Sequence, residues 1–99
     1  MIEDVIINDN EFLRQFELQV GDNMACIEYS LQERKIFLTK FIMPKEMEES
    51  GFSDVFIKKV FHEVKKREIR LVPTSPQIAM FMRKNRREYK ALLPVGINM

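Results

Sequence analysis

SDVFIKKVFHEVKKR, residues 53 to 67, decides the fold. Phe56, Ile57, Val60, Phe61 and Val64 fall on one face at a period of 3.6, with Lys58, Lys59, Glu63, Lys66 and Arg67 opposite, which is the pattern of an amphipathic helix. Such a helix needs an apolar surface to lie on, and its two flanks supply one. KIFLTKFIM at 35 to 43 is almost continuously apolar, so it reads as a central strand covered on both faces, with Pro44 stopping its ladder. Ile69 to Val72, bounded by Pro73, reads as a short buried strand. The strand-helix-strand unit over 35 to 73 therefore predicts a right-handed parallel crossover.

Working outward, Phe12, Arg14, Phe16, Leu18 and Val20 alternate with Leu13, Gln15, Glu17 and Gln19, the period of a half-buried strand with Phe16, Leu18 and Val20 inward. Gly21-Asp22-Asn23 supplies turn chemistry, and Met24 to Tyr29 resumes with Ala25, Ile27 and Tyr29 on one face, so the two runs predict an antiparallel hairpin. On the other side, Pro76 opens a second helix carrying Ile78, Ala79, Phe81 and Met82, followed by the polar run RKNRREYK. Pro94, Gly96 and Met99 read as a tail. The order predicts an α/β (α+β) domain over 1 to 99: a mixed sheet with an antiparallel front hairpin, a crossover and a C-terminal helix.

Composition narrows the function classes. A chain of 99 residues, 45% hydrophobic, suits one core. Sixteen Lys and Arg against fifteen Asp and Glu leave no overall field, so any electrostatic role is local. One cysteine, Cys26, and one histidine, His62, exclude an internal disulfide and a four-ligand zinc site, and no metal is expected. Cys26 reads as a small buried hydrophobe, and His62, four residues from Lys58, as part of a solvated helix face. MIEDVIIND lacks the basic flank and long apolar run of a signal peptide, and no stretch approaches membrane-spanning length, so a cytoplasmic protein is expected.

EESGFSD at 48 to 54 has two readings. Ser50 or Ser53 can cap the helix with Asp54 complementing its dipole, or the loop N–H groups can cradle an anion. Ser75 reads as a second helix cap, and Tyr89 as a packing aromatic with a wet hydroxyl.

A set of segments bears on this choice: ACIEY at 25 to 29, a strand ending in MP at 43 and 44, EMEESGFSDVFIKKVF at 46 to 61, IRLVPTSPQIAMF at 69 to 81 and EYKALL at 88 to 93. From about Phe16 to Leu93 they resemble the smallest single-domain members of the GNAT superfamily of acyl-CoA-dependent N-acetyltransferases. The resemblance implies acetyl transfer from acetyl-CoA to an amine acceptor by direct attack on the thioester. It implies Phe41, Ile42 and Met43 as the strand edge for the pantetheine arm, and Glu49, Ser50, Gly51, Phe52 and Ser53 as the loop and first turn facing the pyrophosphate. Ser75 falls where the family has a cysteine, and Tyr89 where it has a tyrosine, a donor to the departing thiolate.

Three departures accompany it. Glu49 stands in place of the first loop glycine, Ser50 in that of the polar residue, Gly51 in that of the second glycine and Ser53 in that of the small residue, so one glycine survives. A carboxylate ~4 Å from a phosphate charge costs on the order of 4 kcal/mol at an effective dielectric of about 20. Ser75 carries an alcohol, a poorer nucleophile than a thiol, and Asn85-Arg86-Arg87-Glu88-Tyr89 replaces His-Pro-Glu-Tyr. An alternative follows: a degenerate, catalytically inactive GNAT-like module whose basic surface, Arg83, Lys84, Arg86, Arg87 and Lys90, contacts a protein partner. Nucleic acid is disfavoured, because Tyr89 alone offers no aromatic ladder for bases.

Overall fold

The computed structural model describes residues 5–97. Among them, five strands form one sheet in the order β1-β2-β3-β4-β5: β1 (Ile7–Asn10), β2 (Gln15–Val20), β3 (Asn23–Gln32), β4 (Lys35–Ile42) and β5 (Arg70–Pro73). The first four pair antiparallel, and β5 pairs parallel to β4. The helices are α1 (Lys45–Glu49), α2 (Phe52–Lys66), α3 (Pro76–Lys84) and α4 (Arg86–Tyr89), followed by a 3₁₀ turn at Lys90–Leu92. No helix is long and apolar enough to cross a membrane among the described residues.

The expected inward faces of the hairpin are the observed ones. Phe16, Leu18, Ala25 and Ile27 have no exposed surface, and Tyr29 has 6%. Against them α2 buries Phe56, Ile57, Val60, Phe61 and Val64, and α3 adds Ile78, Phe81 and Met82. Each such side chain contributes ~1.5–3 kcal/mol by leaving water. Ring contacts tie the helices together: Phe61 meets Phe81 edge-on at 5.3 Å and Tyr89 at 5.1 Å.

Four expectations are corrected. The sheet has an additional edge strand, β1, and residues 11 to 14 form a turn rather than the start of β2. There Phe12 is 93% exposed, Arg14 takes a φ of 54°, and Leu13 N–H donates to Asn10 Oδ1. The strand at 35 to 42 is covered on one face only: Ile36 and Leu38 are fully buried, while Phe37 is half-buried. On that open face Cys26 is half-buried too, its thiol pushed up by burial and by Glu28. Of the expected tail, Pro94 is buried, following the buried Leu92 and Leu93, while Val95, Gly96 and Ile97 are exposed and Met99 lies outside the described residues; the Arg70 guanidinium donates to the Ala91 carbonyl.

The C-terminal end of α2 is held by charge. Arg67 donates to Glu63 Oε2 and to Asp9 Oδ2, both at 2.8 Å, and lies 5.5 Å over the Phe16 ring. Asp9 also accepts the Tyr29 hydroxyl at 2.7 Å. One carboxylate on the edge strand thus ties β1, β3 and α2 together.

Candidate functional site

At the opposite end of α2 the sheet opens. Pairing between β4 and β5 ends at Leu38 and Pro73, because proline has no N–H to continue the ladder. The Leu38 carbonyl instead takes Thr74 N–H, Ser75 N–H and the Thr74 hydroxyl at 3.1, 3.0 and 2.9 Å, which turns the chain away from the sheet. A bulge at Thr39 shifts the β3 register at the same level, and the Thr39 hydroxyl donates to the Glu28 carbonyl. Beyond it β4 runs on through Phe41 and Ile42 with β3 on one side and, among the described residues, no strand on the other. This bulge puts Phe41 on the helix face beside Phe56, ring centroids 6.4 Å apart.

A cleft of ≈ 370 Å³ fills the gap. Phe41 of β4, Glu48 of α1, Ser53, Asp54 and Ile57 of α2, and Pro76, Gln77 and Met80 of α3 line it. Phe41, Ile57, Pro76 and Met80 give it an apolar floor, and its polar groups are two carboxylates, a hydroxyl and an amide. A larger cavity of ≈ 440 Å³ lies on the outer side of α2, but its described lining, Val55, Lys58, Lys59 and His62, comes from that helix alone. The cleft, by contrast, joins a free strand edge to two helix N-termini.

EESGFSD resolves into a helix joint. Residues 45 to 49 form α1, pinned by the buried Met47, and Gly51 at φ 85° ends α1 and starts α2. Glycine takes that left-handed conformation at no steric cost, having no Cβ. Neither serine caps α2, because no side-chain cap bond is made and Ser53 Oγ donates to Met43 Sδ at 3.4 Å. Ser50 N–H donates to the Glu46 carbonyl at 3.2 Å, and Gly51 N–H to the Glu48 carbonyl at 3.1 Å. Phe52, Ser53 and Asp54 open α2, where N–H groups have no intrahelical acceptor.

Of the residues expected to hold a ligand, Phe41 and Ser53 line the cleft. Met43 is linked to it through Ser53, and Ile42 points to the open face opposite Cys26. Glu49, Ser50, Gly51 and Phe52 lie beside the cleft in the α1–α2 joint without lining it. Ser75 precedes α3, 1% exposed, and its hydroxyl donates to Gln77 Oε1 at 3.0 Å. Tyr89 packs on Phe61, His62 and Phe81, with its hydroxyl 3.4 Å from His62 Nε2. Burial, then the neighbouring Glu88, pushes the Tyr89 phenol up to about 12.

Gln77 is the functional candidate that the sequence did not reveal. It sits in the first turn of α3, and its amide is oriented by Ser75, which occupies Oε1 and leaves the NH₂ to the cleft. A pairing at i and i+2 around a proline carries no recognisable signal; the topology alone places it opposite β4.

The sheet is thus mixed, its parallel pair ends at Leu38 and Pro73 beside a bulge in the β3–β4 pair, and a cleft opens between the β4 edge and the N-terminal ends of α2 and α3. The sequence profile of the GCN5-related N-acetyl-transferases matches residues 15–92, and the chain belongs to that family. No curated protein matches it.

Tested against coenzyme A, the cleft divides. The neutral arm fits, since the strand edge offers peptide groups and the floor is apolar. The pyrophosphate does not: two of the loop N–H groups already serve α1 carbonyls, Glu48 and Asp54 flank the space, and no Lys or Arg is among its described lining.

Proposed function

We propose that the chain is an acyltransferase that lays an acyl thioester along the free edge of β4 and passes the acyl group to a primary amine. Acetyl-CoA is the ordinary substrate of this class, and a cytoplasmic setting belongs to the same proposal. The observation that carries it is the splay at Leu38 and Pro73, which leaves an unpaired strand edge over an apolar floor. The amine nitrogen attacks the thioester carbonyl carbon, the C–S bond breaks, and the proton lost by nitrogen neutralises the departing thiolate. Gln77, its amide set by Ser75, donates to the developing oxyanion or sulfur, while the cleft supplies orientation. Ser75 is buried and engaged, which supports direct attack over an acyl-serine. Titration with acetyl-CoA should shift the backbone amide resonances of Phe41, Ile42, Ser53, Asp54 and Gln77 and raise the melting temperature. No shift with millimolar thioester would overturn the reading.

A second reading rests on charge. Residues 53 to 99 carry eleven Lys and Arg against four Asp and Glu, while residues 1 to 52 carry five against eleven. Arg83, Lys84, Arg86, Arg87 and Lys90 are all exposed around the end of α3. An acidic protein docking there would bind with a steep salt dependence and fail to bind the Arg86→Ala, Arg87→Ala double variant.

A further inference from the structure

We infer that the donor recognised by this cleft is the acylated pantetheine arm itself, and that the nucleotide end of coenzyme A adds nothing to binding. The inference rests on the acyltransferase reading and narrows its donor class to pantetheine thioesters at large.

Pyrophosphate recognition in a splayed sheet of this kind needs convergent N–H donors and no competing anion. Here Ser50 and Gly51 N–H groups are spent on the Glu46 and Glu48 carbonyls, closing the end of α1. Releasing them means unwinding α1, which the fully packed Met47 side chain opposes, being 2% exposed. Glu49 belongs to α1, and its side chain makes the glycine conformation that would bring backbone to phosphate costly. The remaining donors open α2, yet Asp54 is one of those residues, and both it and Glu48 line the cleft. Glu48 and Asp54 are exposed, so solvent screens them in part, yet two carboxylates beside a phosphate offset what the remaining N–H groups would gain from it. Lys58, the first cation along α2, lines the separate outer cavity. A pantetheine arm carries no charge, so none of these penalties touches it, while Phe41, Ile57 and Met80 and the β4 edge remain available.

The test compares three ligands by isothermal titration with the full chain: S-acetylpantetheine, acetyl-CoA and adenosine 3′,5′-diphosphate. The two thioesters should bind within about threefold of each other, and the diphosphate should neither bind nor compete. Replacing the carboxylates, Glu48→Gln with Asp54→Asn, should tighten acetyl-CoA at least ~10-fold and leave S-acetylpantetheine unchanged. Acetyl-CoA binding ~100-fold tighter than S-acetylpantetheine in the wild-type chain would overturn the inference and leave the acyltransferase reading standing. Failure of both thioesters to bind would remove that reading together with the inference.

Discussion

The two ends of α2 contrast in how they are held. At its C-terminus, Arg67, Glu63, Asp9, Tyr29 and Phe16 form one connected set of short hydrogen bonds and ring contacts that reaches across three strands. Near its N-terminus Phe56 and Ile57 are buried, but the polar contact of Ser53 is a hydroxyl on a thioether at 3.4 Å and the Phe41–Phe56 ring pair lies at 6.4 Å, beside a β4 edge that pairs with no strand among the described residues. A ligand site needs unsatisfied donors and open backbone, which destabilise the fold locally; a clamp at the far end keeps the helix fixed in spite of them. Stability and binding should then separate along this one helix, and variants at the two ends test that separation.

The largest effect is expected at the closed end. Phe16→Ala removes a fully buried ring that packs on Tyr29 at 5.1 Å and carries Arg67, and should cost about 3–5 kcal/mol by denaturant unfolding. A loss under ~1 kcal/mol would mean that the clamp does not hold the helix.

Alkaline stability comes next. The chain has two tyrosines and no tryptophan, so absorbance at 295 nm reports Tyr29 and Tyr89 alone. Burial, followed by Asp9 for Tyr29 and Glu88 for Tyr89, pushes both up to about 12 from 10. Folding thus favours their neutral forms: this stabilisation is complete below pH 10 and is lost as pH rises to about 12. The native titration midpoint should lie near 12 and the midpoint in urea near 10; equal midpoints would show that neither hydroxyl is held. Asp9→Ala, which leaves the Tyr29 hydroxyl and Arg67 without their shared acceptor, should cost about 1–3 kcal/mol. It should move the Tyr29 midpoint only part of the way back, because burial is the larger cause.

At the open end the effects shrink. Gly51→Ala places a side chain at φ 85° and should cost about 1–2 kcal/mol, seen as a lower melting temperature. A neutral outcome would mean that the α1–α2 joint relaxes freely.

The same contrast explains what the sequence disclosed. Phe16, Leu18, Ala25, Ile27 and Tyr29 alternate because one face of the sheet is buried, and the α2 stripe exists because the helix lies on it; periodicity records both. Elements fixed by single long-range bonds leave no period. Four-residue β1 depends on Asp9 meeting Arg67, 58 residues away, and on the Asn8 and Asn10 amides reaching Glu17, whose carboxyl is lowered by Gln15 first and Asn10 next. Alternation also misled: Phe12 and Leu13 continue the β2 rhythm into a turn, where both are exposed. Near-continuous apolarity in β4 suggested two covered faces, but α2 and α3 pack together on one side, as the Phe61–Phe81 contact shows. Of the cleft, Phe41 and Ser53 were legible through family resemblance, whereas Gln77 and Met80 depend on where β5 turns, which the Leu38 carbonyl decides.

The smallest effect is expected where the family pattern and this chain differ by one atom. Ser75→Cys restores the family's thiol at a position 1% exposed, keeps the volume nearly constant, and should change stability by less than ~1 kcal/mol. The weaker S–H donor loosens the Gln77 amide, so turnover with acetyl thioester should stay level or fall slightly. In the proposed direct attack by the amine a nucleophile at 75 has nothing to do, and mass spectrometry after incubation with the thioester should show no added acetyl group. Acetylation of residue 75 with faster turnover would transfer the chemistry to that side chain, and would mean that the open end of α2 is mobile enough to expose it.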